Sequence, residues 1–325
     1  MHTYLKGLAG CVLAVAASPA LASEGGTSFY LLGSGGPGAA VAPPVEGIFI
    51  DNTVYIYDGS AKVSKEFVVG GQIVAGLDAT VVADFPTVLF VPSTDFAGGV
   101  LQLGATFPVG HPNIDASVVL TGPGGGVRQF DAFDNATVIG DPVATVQVSW
   151  PLADNLFIQP TVQVNIPVGN YREDQLANLA FNRWIYDGSV AMSLHDMESG
   201  WDVSGKVGVT FNGTNDYTQY KSGDEFHAEA AIEKAFSPSF SLGVQGYYFD
   251  QLSGDSGPGA RLGPFKGKTV AGGLTAAFNF LSGKTPVTAR FRAFKEFDVR
   301  NRLKGSAFFF SLTFPIKMNL PPEAG

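Results

Sequence analysis

The chain has 325 residues and a formal net charge of −9, with only 15% charged residues against 41 Gly and 26 Phe. An acidic balance offers no basic face to nucleic acid, and a lone cysteine, Cys11, excludes a disulfide framework or a cysteine-based metal centre. Low charge with abundant Gly and aromatics suits strands that cross a membrane, and no linker divides the chain into two compositions.

Met1–Ala22 carries Lys6 near its start, the apolar stretch Gly7–Ala17, then Ser18-Pro19 and the small-residue site Ala20-Leu21-Ala22. This is the layout of a secretory signal with cleavage after Ala22. The alternative, an anchor helix, needs roughly 20 apolar residues, and here the stretch is shorter and Pro19 breaks it. Leu8-Ala9-Gly10-Cys11 has the residue pattern of a lipoprotein processing site, but most of the apolar stretch follows it rather than preceding it. Cys11 therefore leaves with the signal, and a thiol-free mature chain suits an oxidising periplasm.

Residues 23–46 are rich in Gly, Ala and Pro, with Gly33-Ser34-Gly35-Gly36-Pro37-Gly38 and Pro43-Pro44. This composition predicts an irregular segment that tucks into a lumen, lies over its periplasmic mouth, or stays a disordered leader. After Ala22 no run of 18 or more apolar residues occurs, which disfavours an inner-membrane helical protein.

From residue 47 to 316 the chain reads as strands divided by turn clusters. In Asn155–Pro167, Leu156, Ile158, Pro160, Val162, Val164 and Ile166 alternate with Phe157, Gln159, Thr161, Gln163 and Asn165. Trp201–Asn212 alternates in the same way, Trp201, Val203, Val207, Val209 and Phe211 against Asp202, Ser204, Lys206, Thr210 and Asn212. A period of two gives each strand one greasy and one wet face. The predicted strands are Ile48–Tyr57, Ala79–Val91, Gly98–Pro108, Pro142–Trp150, Asn155–Pro167, Asn182–Leu194, Trp201–Asn212, Glu225–Phe236, Phe240–Gln251, Lys268–Phe280, Val287–Asp298 and Gly305–Phe314. Val68–Leu77 and Ile114–Leu120 are further candidates. The predicted fold is therefore all-β, a transmembrane antiparallel up-and-down β-barrel of about 12 strands, with 10–14 as the range. Residues 317–325 form a polar tail.

Connections alternate in length. Leu152-Ala153-Asp154, Ser237-Pro238-Ser239 and Ser282-Gly283-Lys284 are tight, whereas Val168–Phe181, Gly213–Asp224 and Leu252–Gly267 are long. Short periplasmic turns and long outer loops are what an outer-membrane barrel shows.

If the greasy face meets lipid, the other parity lines the interior. A charge facing lipid near the midplane costs roughly 2–4 kcal/mol, so the assignment has energetic force. It places Asp202 and Lys206 inside, then Glu225, His227, Glu229 and Glu233 on one strand, and Thr288, Arg290, Arg292, Glu296 and Asp298 on another. Gln245, Tyr247 and Phe249 share the inward parity. These residues form either a polar path for a substrate or a salt-bridge network that fills a narrow barrel.

Catalytic and metal readings are weaker. Ser193 and His195 form a Ser-x-His string, and a lipid-acting hydrolase would need such a pair with a third orienting group. Glu225, His227 and Glu229 can be drawn as a metal site, but at i, i+2 and i+4 they span about 13 Å and need ligands from neighbouring strands. Gly254-Asp255-Ser256-Gly257-Pro258-Gly259 is turn chemistry. No cofactor and no metal are expected.

A series of short stretches then stands out in order: Tyr30-Leu31-Leu32-Gly33, Pro43-Pro44, Gly140-Asp141-Pro142, Ile166-Pro167-Val168-Gly169-Asn170-Tyr171, Asn178, and Asn182-Arg183-Trp184. Gly200-Trp201-Asp202-Val203-Ser204, Phe211-Asn212, Asn215 and Thr218-Gln219-Tyr220-Lys221-Ser222-Gly223-Asp224-Glu225-Phe226 follow. The series ends with Gly246-Tyr247-Tyr248-Phe249-Asp250-Gln251, Gly254-Asp255-Ser256-Gly257, Lys295-Glu296-Phe297 and Asn301-Arg302. From about Phe29 to Phe314 the chain resembles the family named for the MetA pathway of phenol degradation, a set of outer-membrane barrels. It departs at Val45-Glu46-Gly47, where a Gly directly after the prolines is expected, and in ending on Lys317–Gly325 instead of a terminal aromatic.

The resemblance implies a barrel that carries hydrophobic or aromatic compounds across the outer membrane, and it supplies no catalytic residues. The expected partners are outer-membrane lipid, the barrel-assembly machinery during biogenesis and a small apolar substrate, with the chain monomeric. An enzyme acting on lipid through His195, and an adhesive barrel working through its long loops, are the alternatives.

Overall fold

The computed structural model describes residues 24–69, 71–121 and 127–319. The signal segment at 1–22, with Cys11, and the tail from 320 onward lie outside the described residues.

In a bilayer every backbone N–H and C=O must find a partner within the protein, and strands achieve this only by closing on themselves. In chain order the strands are β1 (Gly47–Val69), β2 (Gln72–Phe96), β3 (Gly99–Thr106), β4 (Val109–Thr121), β5 (Val127–Asn135), β6 (Val138–Ile139), β7 (Val143–Ala153), β8 (Leu156–Asn165), β9 (Ile185–Asp196) and β10 (Trp201–Asn212). They continue with β11 (Thr214–Asn215), β12 (Tyr220–Lys221), β13 (Glu225–Ser237), β14 (Phe240–Gln251), β15 (Lys268–Ser282), β16 (Thr285–Arg300) and β17 (Lys304–Met318). Following the ladders from β1 through β17, β16, β15, β14, β13, β10, β9, β8, β7, β3 and β2 leads back to β1. The wall is thus a closed antiparallel barrel of twelve strands, as the alternation predicts.

β4, β5 and β6 add no strand to that ring. β3 and β4 pair with successive parts of β2, and β7 and β5–β6 pair with β3 and β4 in turn. Together they make one long hairpin, interrupted at Phe107-Pro108 on one arm and Gly140-Asp141-Pro142 on the other. Proline has no N–H to give a ladder, so both arms bend there. The outer edge of β5 has no ladder partner among the described residues and is covered by the loop 166–184. Both Nη atoms of Arg172 reach Asp134 at 3.1 Å, and the Ala177 N–H donates to the same carboxylate at 2.8 Å.

Two segments held as further strands prove to be parts of longer ones: Val68–Leu77 spans the outer end of the β1–β2 hairpin, and Ile114–Leu120 is the outer half of β4. The strand expected from Asn182 begins at Ile185, because Asn182 has a φ of 54°, which interrupts extended backbone. Alternation also fails once in β16. A register shift opposite Val270 and Ala271 leaves Phe297 as an extra residue, so Glu296 points inward while Asp298, expected inside, meets Lys268 at 2.7 Å on the exposed rim.

The outer face is apolar over most of its area, with Val207 51% exposed, Val244 56% and Phe308 49%, and on β1–β2 it carries the polar pairs Asn52–Asp84 and Thr80–Asp58. Trp184 and Tyr186 stack near one rim, and Phe236, Phe240 and Phe278 cluster near the other. Aromatics at both ends of an apolar band are the girdles of a membrane barrel. Residues 24–46 run down inside the wall, from Glu24 beside the long loops to Glu46, whose carbonyl accepts from the Asn319 amide at the short-turn end.

Candidate functional site

The lumen has two unlike halves. Against β9–β16 the N-terminal segment packs onto a buried polar wall, and against β1–β8 an open cavity remains. Apart from Asp298 on the exposed rim, the charged inward residues picked out by parity can be placed in one or the other.

The segment is held at three levels. At the outer end Glu24 pairs with Arg183 at 3.3 Å and accepts from Asn215 at 3.0 Å, while Arg183 also reaches Ser222 at 3.2 Å and Asn212 at 3.3 Å. Burial pushes the Glu24 carboxyl above its ordinary range, and the Arg183 charge opposes this. Asp141 and Asp255 organise the surrounding loops. Asp141 accepts from Asn165 and from the amides of Gly169, Phe181 and Asn182. Asp255 accepts from Tyr220, Gly223 and Gln251. Most of the polar side chains that carry the family resemblance in the loops meet in this one cluster.

At mid-depth the Tyr30 ring stacks on His227, with centroids 3.6 Å apart and planes within 9°. Lys206 Nζ lies 5.1 Å from the same ring. His227 Nε2 engages Asp187 at 2.9 Å, and the Gly33 N–H donates to Glu229 at 2.7 Å. Gln245 donates to the carbonyls of Gly33 and Gly35. Nearer the short turns the Gly38 N–H donates to Asp202 at 3.1 Å, and the Ala40 N–H to Ser193 at 2.9 Å. His195 engages that Asp202 at 2.8 Å, whereas the Ser193 hydroxyl engages Ser204 at 2.8 Å. Ser193 thus bonds the segment directly, and His195 bonds the Asp202 that holds it. His227 lies within the Tyr30–Asp187 stack, and among the described residues no group of three or more His, Cys, Asp or Glu is arranged to hold a metal ion.

Arg290 grips Glu233 through both Nη, at 2.5 and 3.2 Å, with Ser241 and Thr275 completing the knot. Glu296 accepts from Tyr57 at 3.0 Å, Tyr247 at 3.1 Å and the Gly305 amide at 2.7 Å. Glu225 is buried at the outer end of β13. Of the residues singled out by parity, Tyr247, Arg292 and Glu296 border the cavity; Lys206, Glu225, His227, Glu229, Glu233, Gln245 and Arg290 do not.

The cavity measures about 610 Å³, within the range of ordinary ligand sites. Its wall is built by Leu77, Val81, Ala83, Phe85 and Leu89 of β2, Tyr55 and Tyr57 of β1 and Ile114 of β4. Asp51, Thr53, Thr87, Thr106, Thr145, Gln147 and Gln163 supply polar groups toward the short-turn end. Residues Leu77, Ala79, Ile114, Leu176 and Leu303 form an apolar cluster near the loops. Parity reasoning overlooked this wall because the polar residues of Ala79–Val91 do not mark its inner face: Thr80 and Asp84 share the outward parity of Val82, Val88 and Phe90, while the inward parity is apolar except for Thr87. An inward parity made of Val81, Ala83, Phe85 and Leu89 is itself the signal of an apolar lumen wall.

These features define a membrane β-barrel of the outer-membrane type whose lumen is partly filled by its own N-terminal segment. Residues 65–312 match the model of the family described as "Putative MetA-pathway of phenol degradation", and the chain belongs to that family. Among solved structures the chain is similar to an outer membrane channel from Pseudomonas putida F1, at 19% identity over 85% of this chain and 98% of that one, with a TM-score of 0.67. Looser likenesses include the translocator domain of the autotransporter NalP from Neisseria meningitidis (11% identity, 83% and 88% covered, TM-score 0.46). Another is the Pseudomonas putida toluene transporter TodX (12% identity, 90% and 94% covered, TM-score 0.41). A comparison with curated protein sequences returns no match.

Proposed function

We propose that the protein is a monomeric outer-membrane channel for passive uptake of small hydrophobic or aromatic compounds. The observation that carries this reading is the cavity of about 610 Å³ walled by Leu77, Val81, Ala83, Phe85 and Leu89. An open polar pore would place its charges along the free passage. Here most charges of β9–β14 are turned onto the N-terminal segment or onto one another, and the free space has an apolar wall along β2. Burial of apolar surface stabilises a hydrophobic guest by about 25 cal/mol per Å², which is enough to hold a small compound without a specific polar contact. Family membership and the channel-like fold support the same reading.

The test is uptake by proteoliposomes holding the mature chain, with toluene and a sugar of similar size as paired probes. Toluene entering faster than into protein-free liposomes, with the sugar unchanged, is the expected outcome. Equal toluene entry with and without protein, or sugar entry as fast as toluene, would retire the proposal.

A further inference from the structure

Most charges of the lumen are matched; Lys206, away from the cavity, lies over the Tyr30 ring and opposite Glu229. Arg183, Arg290, His195 and His227 each face a carboxylate. Glu229 holds the Gly33 amide, and Glu296 holds two tyrosine hydroxyls and the Gly305 amide. Asp51 accepts from Thr53 at 3.0 Å and Thr313 at 2.6 Å. Arg302, which also borders the cavity, lies over the Phe249 ring at 4.1 Å and donates to Ser28 through one Nη, while its other Nη is buried with no partner.

Of the two arginines that border the cavity with a buried unpartnered nitrogen, Arg292 is the one without a hydrogen bond. Among the described residues it takes part in no ion pair and no hydrogen bond, and its Nε is buried with no partner. Its guanidinium carbon is 5.9 Å from the Phe309 ring, and the side chain lines the cavity together with Asp51, Thr53 and Tyr55. A guanidinium turned toward an apolar chamber costs free energy unless a group of opposite charge meets it. Asp51 carries one threonine hydroxyl on each oxygen and forms no ion pair with Arg292, so the direct contact is left open.

The guanidinium fork matches a carboxylate, with two parallel N–H···O bonds. We infer that the cavity takes amphipathic acids, with the carboxylate on Arg292 and the apolar body along Tyr55, Val81, Ala83 and Phe85. This rests on the uptake reading and narrows its substrate class. A neutral hydrocarbon would fill the same wall and leave Arg292 alone. An apolar acid satisfies both.

The experiment compares three ligands with one tail. Octanoate, 1-octanol and octylammonium are titrated calorimetrically into the full mature chain in zwitterionic nanodiscs, with protein-free discs subtracted. Octanoate binding about tenfold tighter than 1-octanol is expected, and this head-group comparison needs no variant. Arg292→Gln should bring octanoate down to the level of 1-octanol and leave 1-octanol unchanged, while Arg292→Lys should keep part of the preference. Heat-modifiable electrophoretic mobility confirms that each variant is a folded barrel.

Equal binding of octanoate and 1-octanol by the wild-type chain would overturn the acid inference and leave apolar uptake standing. Octanoate binding untouched by Arg292→Gln would do the same. Tightest binding by octylammonium would assign the head-group contact to Asp51 and overturn it as well. No binding of any of the three would overturn the uptake reading and this inference together.

Discussion

Removing the Glu229 carboxylate should loosen the N-terminal segment without releasing it. Glu229 accepts the Gly33 N–H at 2.7 Å in a buried site, a charge-assisted bond of about 1.5–3 kcal/mol. It also lies opposite Lys206 in the β10–β13 ladder, so any neutral replacement removes a compensating charge as well. Glu229→Gln and Glu229→Ala share that second effect, and their difference isolates the acceptor oxygen. The other anchors remain in both variants, among them Glu24–Arg183, Gln245–Gly33, Gly38–Asp202 and Ala40–Ser193. A loss of about 2 kcal/mol should therefore raise the fraction of time the lumen is open by about thirtyfold from a low base, not hold it open. Single-channel recording in planar bilayers reads this directly. Brief openings should be rare in wild type, more frequent in Glu229→Gln and most frequent in Glu229→Ala. Permanent conductance in the Glu229→Ala channel would refute the shared anchoring, and an unchanged opening frequency would refute the part given to Glu229.

Other perturbations test other parts of the barrel. Gly208→Ala drives a Cβ into His227 Nε2, and His227 is wedged between Tyr30 and Asp187. Overpacking of this kind should cost about 1–3 kcal/mol, seen as a lower thermal midpoint of the folded electrophoretic band; an unchanged midpoint would contradict the stack. Arg290→Ala leaves Glu233 buried without its guanidinium and should destabilise by about 3–5 kcal/mol. The double variant Glu233→Ala/Arg290→Ala should recover part of that loss in urea unfolding, and strict additivity of the two singles would argue against the pair. Val207→Lys, on the outward face, should cost roughly 2–4 kcal/mol of folding free energy in vesicles; a neutral effect would move Val207 away from lipid.

The strand count was legible, and the facing of most charged side chains with it, because most strands from β8 onward carry one polar and one apolar parity. His227, Glu229 and Glu233 could be told from Phe226, Ala228 and Ile232 by spacing alone. Three things were not legible. The long hairpin from β3 to β7 is broken by Pro108 and Pro142, and its outer part, β5, has the mixed run Val127–Asn135, with no clean alternation to read. The bulge at Phe297 depends on the pairing of β16 with β15, a long-range fact that local alternation does not contain. Partner choice within the lumen was hidden for the same reason: Glu233 and Arg290 lie 57 positions apart, and Glu24 and Asn215 lie 191 apart. Sequence parity says that a charge points inward and cannot say which charge it meets.

The division of the lumen follows from what the N-terminal segment has to offer. Rich in Gly and Pro, it brings few side chains, and its donors are bare backbone amides at Gly33, Gly38 and Ala40. Such donors need carboxylates and hydroxyls within reach, and β9, β10 and β13 present them as Ser193, Asp202 and Glu229. The approach leaves no room for a larger residue: a Cβ on Gly35 would sit 2.8 Å from Glu229 Oε2. Across the lumen, β2 presents Val81, Ala83, Phe85 and Leu89, which accept nothing from an amide. A segment lying against that wall would leave its N–H groups unsatisfied, at about 1–3 kcal/mol each. The segment is therefore drawn to one side by its own backbone, and the space it leaves is bounded by the wall least able to bind it. An apolar chamber beside a polar seat is the direct consequence of pairing a side-chain-poor segment with a barrel whose inner face is polar on only part of its circumference.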